Sequence, residues 1–192
     1  MKKDIILSGV GGQGVLSIAA IIAQAALSGG FTVRQSEVHG MAQRGGAVLA
    51  HLRVSDQDIA GDLVPQGSAD LIVSMELLES LRYAAWLSPE GALVTAAETL
   101  VNIPDYPDAE ELKKTVLAFP RHCILEAERL AREAGLSKAV NMVMVGAAST
   151  FLPLDSGEIE KVIERMFFAK GASVCGANLR AYALGRENGS RQ

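Results

Sequence analysis

Residues 4–17 read DIILSGVGGQGVLS, and this stretch decides the fold. Asp4–Ser8 is a short apolar run that ends at a glycine, the pattern of a buried strand. Gln13–Ser28 is rich in Ala, Ile and Leu and stops at Gly29–Gly30, which reads as a helix with a glycine stop. Between them, Gly9-Val10-Gly11-Gly12-Gln13-Gly14 fits the spacing G-x-G-x-x-G in the strand-to-helix context that the motif requires. Glycines permit a tight turn and a close backbone approach, and the helix N-terminus offers N–H groups to a phosphate. The same glycines serve equally if strand and helix only pack closely. Both readings stand at this point.

Outward from that unit, Phe31–Val38 and Gly46–Val54 read as strands around a glycine-rich loop, Gly40–Gly46. Asp58–Gly61 reads as a short return strand and Ala69–Ser74 as a buried strand. Glu76–Leu87 is a helix, and the turn Pro89–Gly91 leads into a strand at Ala92–Ala96. Leu100–Pro107 predicts an edge strand. Asp108–Leu117 predicts a helix with acids at its start and lysines later, matching the helix dipole. A strand at His122–Leu125 and a helix at Leu125–Ala134, closed by Gly135, come next. Ala139–Phe151 is apolar nearly all round and predicts a buried helix. Asp155 or Ser156 caps a helix over Glu158–Phe168. Gly171–Arg186 is the last helix, and Glu187–Gln192 a frayed tail. Strands alternating with helices imply one α/β domain over residues 1–192, a three-layer α/β/α, Rossmann-like fold with a mostly parallel or mixed sheet.

Composition narrows the function classes. The 192 residues are 49% hydrophobic and 21% charged, which excludes a disordered chain. Eighteen Lys and Arg against 22 Asp and Glu give a net charge of −4. That argues against nucleic acid or an anionic membrane as partner. Met1–Val10 lacks the apolar core of a signal peptide. The most apolar stretch, Val15–Leu27, is shorter than the roughly 20 residues of a membrane span. Cys123 and Cys175 are far apart, whereas a cluster or structural zinc takes about four ligands. The expectation is two buried thiols in a reduced, cytoplasmic protein. A mean hydropathy of +0.22 is high for a free monomer and points to a subunit interface.

In parallel sheets, ligands bind beyond the carboxyl ends of strands. That places Gly9–Gly14, His39–Gly46 and the residues after Ser74 on one functional edge. Arg44, flanked by Gln43 and by Gly45 and Gly46, fits an anion clamp, because a guanidinium binds phosphate or carboxylate bidentately. Glu37 stands where a ribose-binding acid follows such a loop, roughly 20 residues on. His39 is a candidate ligand contact, and His51 a structural residue. Asn141 caps its helix, touches a neighbour or contacts a ligand, and Met142 and Met144 are core. Asn178–Arg180 reads as a solvated helix face. No Ser–His–Asp order, carboxylate pair or Cys–His pair is visible. The residues alone are compatible with an NAD-dependent dehydrogenase or a nucleotide-binding module.

Four stretches carry a resemblance. GVGGQGVLS (Gly9–Ser17), SEVHGMAQRGGAV (Ser36–Val48), NMVMVGA (Asn141–Ala147) and ANLRAYALG (Ala177–Gly185) together resemble the gamma-type domain of 2-oxoacid:ferredoxin oxidoreductases, and within them the small subunit of the indolepyruvate branch. The likeness covers nearly the whole chain. It implies a subunit of an enzyme that oxidatively decarboxylates arylpyruvates to aryl-acetyl-CoA and reduces ferredoxin. It implies a large alpha subunit that carries thiamine diphosphate, Mg and [4Fe-4S] clusters, with none of these on this chain and no activity from it alone. Coenzyme A is the phosphate-bearing co-substrate that Gly9, Gly11, Gly12, Gln13, Gly14, Arg44, Gly45 and Gly46 would help to hold. Gamma subunits of pyruvate, branched-chain or 2-oxoglutarate enzymes fit the same motifs.

Overall fold

The computed structural model describes residues 1–39 and 45–190. Six strands form one mixed sheet: β1 Lys2–Val10, β2 Thr32–His39, β3 Ala47–Ser55, β4 Ala69–Ser74, β5 Leu87–Ala96 and β6 His122–Leu125, in the order β2-β3-β1-β4-β5-β6. β1, β4, β5 and β6 run parallel, while β3 runs antiparallel to both β1 and β2. Among the described residues, seven α-helices flank it: α1 Val15–Ser28, α2 Leu77–Arg82, α3 Ala109–Leu117, α4 Ala127–Glu133, α5 Val140–Ser149, α6 Ser156–Phe167 and α7 Ala172–Gly189.

The layers follow from strand alternation. Along β1, Ile5 and Leu7 enter the core beneath α1, α4, α5, α6 and α7, while Ile6 between them enters the core beneath α2 and α3. β4 divides in the same way, Leu71 and Val73 to one side and Ile72 to the other. Both faces are covered, so the central strands read as continuous apolar runs. Helix α5 sits in the larger core, with Met142 and Met144 fully buried. It meets α7 backbone to backbone. A Cβ on Gly146 would lie 2.1 Å from the Tyr182 carbonyl oxygen, and one on Gly185 would lie 1.9 Å from that of Val143.

Several elements depart from the sequence reading, each for a local reason. Asp58–Gly61 is not a strand. The segment is held by Arg53, whose Nη1 donates to the carbonyls of Gly61 (2.9 Å) and Leu63 (3.1 Å). Leu100–Pro107 is also irregular. The buried Glu76 carboxylate ties it down, accepting from the Leu100 N–H at 3.2 Å and from the Tyr106 hydroxyl. The turn at Pro89–Gly91 lies inside β5, where the register against β4 shifts. Gly91 is needed there because a Cβ would sit 2.6 Å from the Ala69 carbonyl oxygen. The helix expected over Glu76–Leu87 stops at Arg82, and a single 3-10 turn, Ala84–Trp86, redirects the chain into β5. Cys123 is buried, but Cys175 is partly exposed. Asn178 is buried, and the Nε of Arg180 donates to the Ala134 carbonyl at the end of α4, so this stretch of α7 is a packed face. α7 continues through Gly189, beyond the start expected for a frayed tail, and residues 191–192 lie outside the described part.

Candidate functional site

The reversed direction of β3 brings the two glycine motifs together. β1 ends at Val10 opposite Ala47, the first residue of β3, so the end of one strand and the start of the other share an edge. The Gly11 N–H donates to the Gly46 carbonyl at 2.8 Å, and the Gly45 N–H donates to the Gly11 carbonyl at 3.3 Å. The Asn102 side chain also donates to the Gly45 carbonyl, at 2.9 Å.

Each residue of the first loop has a definable task. A Cβ on Gly9 would meet Val15 at 2.8 Å and Met75 at 3.1 Å, so this glycine lets strand and helix approach. Gly12 and Gly14 have φ of +103° and +79°, which L side chains rarely adopt. The Gln13 side chain clips the loop to its neighbours. Its Oε1 accepts from the Val10 N–H at 2.8 Å, and its Nε2 donates to the Met75 carbonyl at 3.2 Å, joining the ends of β1 and β4. Asn141, at the start of α5, donates from Nδ2 to the Gly14 carbonyl at 3.1 Å. Gly14 is the N-cap of α1 and brings no capping side chain, so the opening N–H groups of that helix point toward the edge.

Beyond this loop opens a cleft of about 320 Å³, lined by Gly12, Gln13 and Asn141 together with Glu98, Glu128 and Lys138. Glu98 follows the end of β5. Its Oε1 accepts from the Glu128 N–H at 2.6 Å, at the first turn of α4, while its buried Oε2 has no hydrogen-bond partner. The cleft therefore sets the glycine loop and Lys138 beside two carboxylates, Glu98 and Glu128. That suits a ligand carrying both anionic and hydroxyl or amino groups.

Of the other residues marked by the sequence, Glu37 lies exposed on the edge strand β2, away from this cleft. His39 ends β2 opposite Val48. Arg44 lies outside the described residues. His51 is buried, and its Nδ1 accepts from the Val64 N–H at 3.1 Å. Burial, with the nearby Arg53 charge, holds its pKa below the ordinary histidine value. Spacing alone does not flag Glu98 or Lys138. The usable signal for Glu98 is its place just after a parallel strand, on the carboxyl edge; Lys138 carries none.

No metal or cluster fits these side chains. Two separated thiols fall short of a cluster ligand set, and no group of three or more His, Cys, Asp or Glu residues stands together among the described residues. Among the described residues, no helix is long and apolar enough to cross a membrane.

The pyruvate ferredoxin/flavodoxin oxidoreductase family matches residues 4–188. The chain belongs to that family. It is 39% identical to the indolepyruvate oxidoreductase subunit IorB of Thermococcus kodakarensis over 96% of this chain and 95% of that one. It is 31% identical to the 2-oxoglutarate synthase subunit KorC of Methanothermobacter thermautotrophicus over 97% and 95% of the two chains. The crystal structure of the Thermotoga maritima pyruvate oxidoreductase subunit PORC superposes with a TM-score of 0.73 at 27% identity, covering 97% of this chain and 96% of that one. This member of the family is an oxidoreductase subunit with the mixed six-stranded α/β fold of the gamma subunits.

Proposed function

We propose that this chain is the small subunit of a 2-oxoacid:ferredoxin oxidoreductase acting on arylpyruvates, indolepyruvate among them. In this reading the assembled enzyme decarboxylates the 2-oxoacid, passes two electrons singly to ferredoxin and releases the aryl-acetyl group as its CoA thioester. A larger partner subunit holds thiamine diphosphate, Mg²⁺ and the [4Fe-4S] clusters, and this chain is inactive alone. Its own residues take part of CoA. The Gly12–Gln13 loop and Lys138 take a phosphate, and the carboxylates of Glu98 and Glu128 stand beside a hydroxyl or amino group. A cleft of about 320 Å³ holds a fragment of so large a ligand, so the rest lies on the partner.

The observation that carries this reading is the first glycine loop, which lines that cleft and is hydrogen-bonded to the second. The subunit names of the relatives support it. Anaerobic purification of the tagged chain from its host tests the assembly, and a brown, cysteine-rich partner is expected. The substrate profile of that complex then separates arylpyruvates from 2-oxoglutarate and pyruvate. In the complex, Lys138→Ala should raise the KM for CoA about tenfold, the size of one charge-assisted hydrogen bond, and leave the KM for the 2-oxoacid unchanged. An unaltered CoA KM removes CoA from this cleft, and a colourless chain without partner removes the subunit assignment.

A further inference from the structure

A second concave surface lies far from the glycine loops, where α6 runs into α7. The groove measures about 670 Å³, and its floor is made of Ala172, Cys175 and Gly176 on the first turns of α7. Its wall carries Phe168, 83% exposed and the most exposed large apolar side chain among the described residues. On its rim stand Glu164 and Arg165, adjacent in sequence, exposed, and without an ion-pair partner among the described residues.

We infer that this groove is an isologous contact, occupied by the same groove of a second copy of this chain. A two-fold interface needs a surface complementary to itself. This one offers a knob and a hole side by side: the Phe168 ring and the small-residue floor next to it. It also offers both signs of charge. A two-fold that seats each Phe168 on the opposite α7 brings Glu164 of one copy toward Arg165 of the other, twice. The contact involves only the end of α6 and the start of α7, so it is small. Self-association is therefore weak and depends on concentration and on salt.

The test uses the full-length chain, with mass measured by light scattering from about 1 to 200 μM and with the reactivity of Cys175 toward a maleimide. Cys123 is buried and stays silent. A concentration-dependent dimer is expected, with Cys175 labelling slowed about fivefold or more where the dimer is populated. Phe168→Ser should weaken the dimer about tenfold or more, in the manner of a central aromatic anchor. Arg165→Glu and Glu164→Arg should each weaken it, and the double swap should restore it, which only crosswise pairing between copies produces. A chain that stays monomeric throughout overturns the inference. So does a dimer that ignores these substitutions, or a Cys175 that becomes protected only when a different subunit is added.

Discussion

Replacing Gly185 by alanine tests the packing of α5 on α7 most directly. In an open helix interior this change stabilises by about 1 kcal/mol, because glycine is the poorer helix former. Here the new Cβ would lie 1.9 Å from the Val143 carbonyl oxygen, 2.7 Å from its carbon and 2.8 Å from its Cα. All three are backbone atoms of a buried helix, so no side-chain rotation relieves the overlap. Reaching ordinary van der Waals contact requires the helices to separate by more than 1 Å, and that opens the interface around the buried Tyr182. Overpacking of this kind costs about 1–3 kcal/mol and sometimes more. A rigid backbone obstacle belongs at the upper end, which leaves a net loss of about 2 kcal/mol after the helix-propensity gain. For a domain of this size that lowers Tm by about 4–8 °C. Gly176→Ala is the control on the same helix. Its Cβ would meet only the far end of the Arg180 side chain, Nη1 at 3.3 Å, so it should be neutral or mildly stabilising. Thermal unfolding of both variants decides the matter. Equal or higher Tm for Gly185→Ala would refute the claim that backbone contact fixes the distance between these helices.

Three further perturbations probe the edge and its supports. Glu76→Ala leaves the N–H groups of Glu79 and Leu100 and the Tyr106 hydroxyl without their acceptor. It should destabilise by about 3 kcal/mol and speed hydrogen exchange at the start of α2 and across residues 97–107, whereas unchanged exchange over 97–107 would show that Glu76 does not anchor that segment. Gly14→Ala suffers both its positive φ and a contact of 2.3 Å with Asn141 Nδ2. Asn141→Ala removes only the second problem, so a double-mutant cycle by urea unfolding should give a coupling of about 1 kcal/mol, and strict additivity would contradict it. His51 has a lowered pKa in the folded state, so the unfolded chain takes up its proton first. Stability is complete above about pH 6.5 and falls as the pH drops below it. His51→Gln, which keeps an acceptor for the Val64 N–H, should flatten the decline in urea midpoint between about pH 7 and 5; parallel declines would assign the effect to other groups.

Much of this architecture is legible in the chain because its signals are local. The run Ala69–Ser74, apolar through Leu71–Val73, forms a strand with those same bounds. Asp155 caps its helix through the Glu158 N–H, as its place before an amphipathic stretch predicts. What escapes the sequence is decided at long range. Leu100–Pro107 alternates enough to resemble a strand, yet its conformation is dictated by a carboxylate at Glu76, on another element. Asn178–Arg180 looks like a polar helix face because its partners, on α4 and within α7, are invisible to a linear pattern. At the cleft, the glycines announce themselves through spacing. Glu98 carries only its place just after a parallel strand, and the fold adds that one of its oxygens is buried without a donor.

The antiparallel strand β3 has a consequence for what the glycine loop can recognise. In an ordinary dinucleotide fold, the strand after the first helix lies directly beside the first strand, and the acid at its tip reads the ribose. Here β3 occupies that place, and β2 is displaced to the border of the sheet. Two strand spacings, roughly 9–10 Å, then separate the line of Glu37 from that of β1. The acid is thus set two strands away from the line of the loop. Under the proposed coenzyme A reading, the first strand–loop–helix unit supplies a phosphate-facing loop without the sugar-reading acid that accompanies it in a dinucleotide fold. Discrimination between ligands passes to groups contributed by the second half of the chain, from the ends of β5 and the starts of α4 and α5.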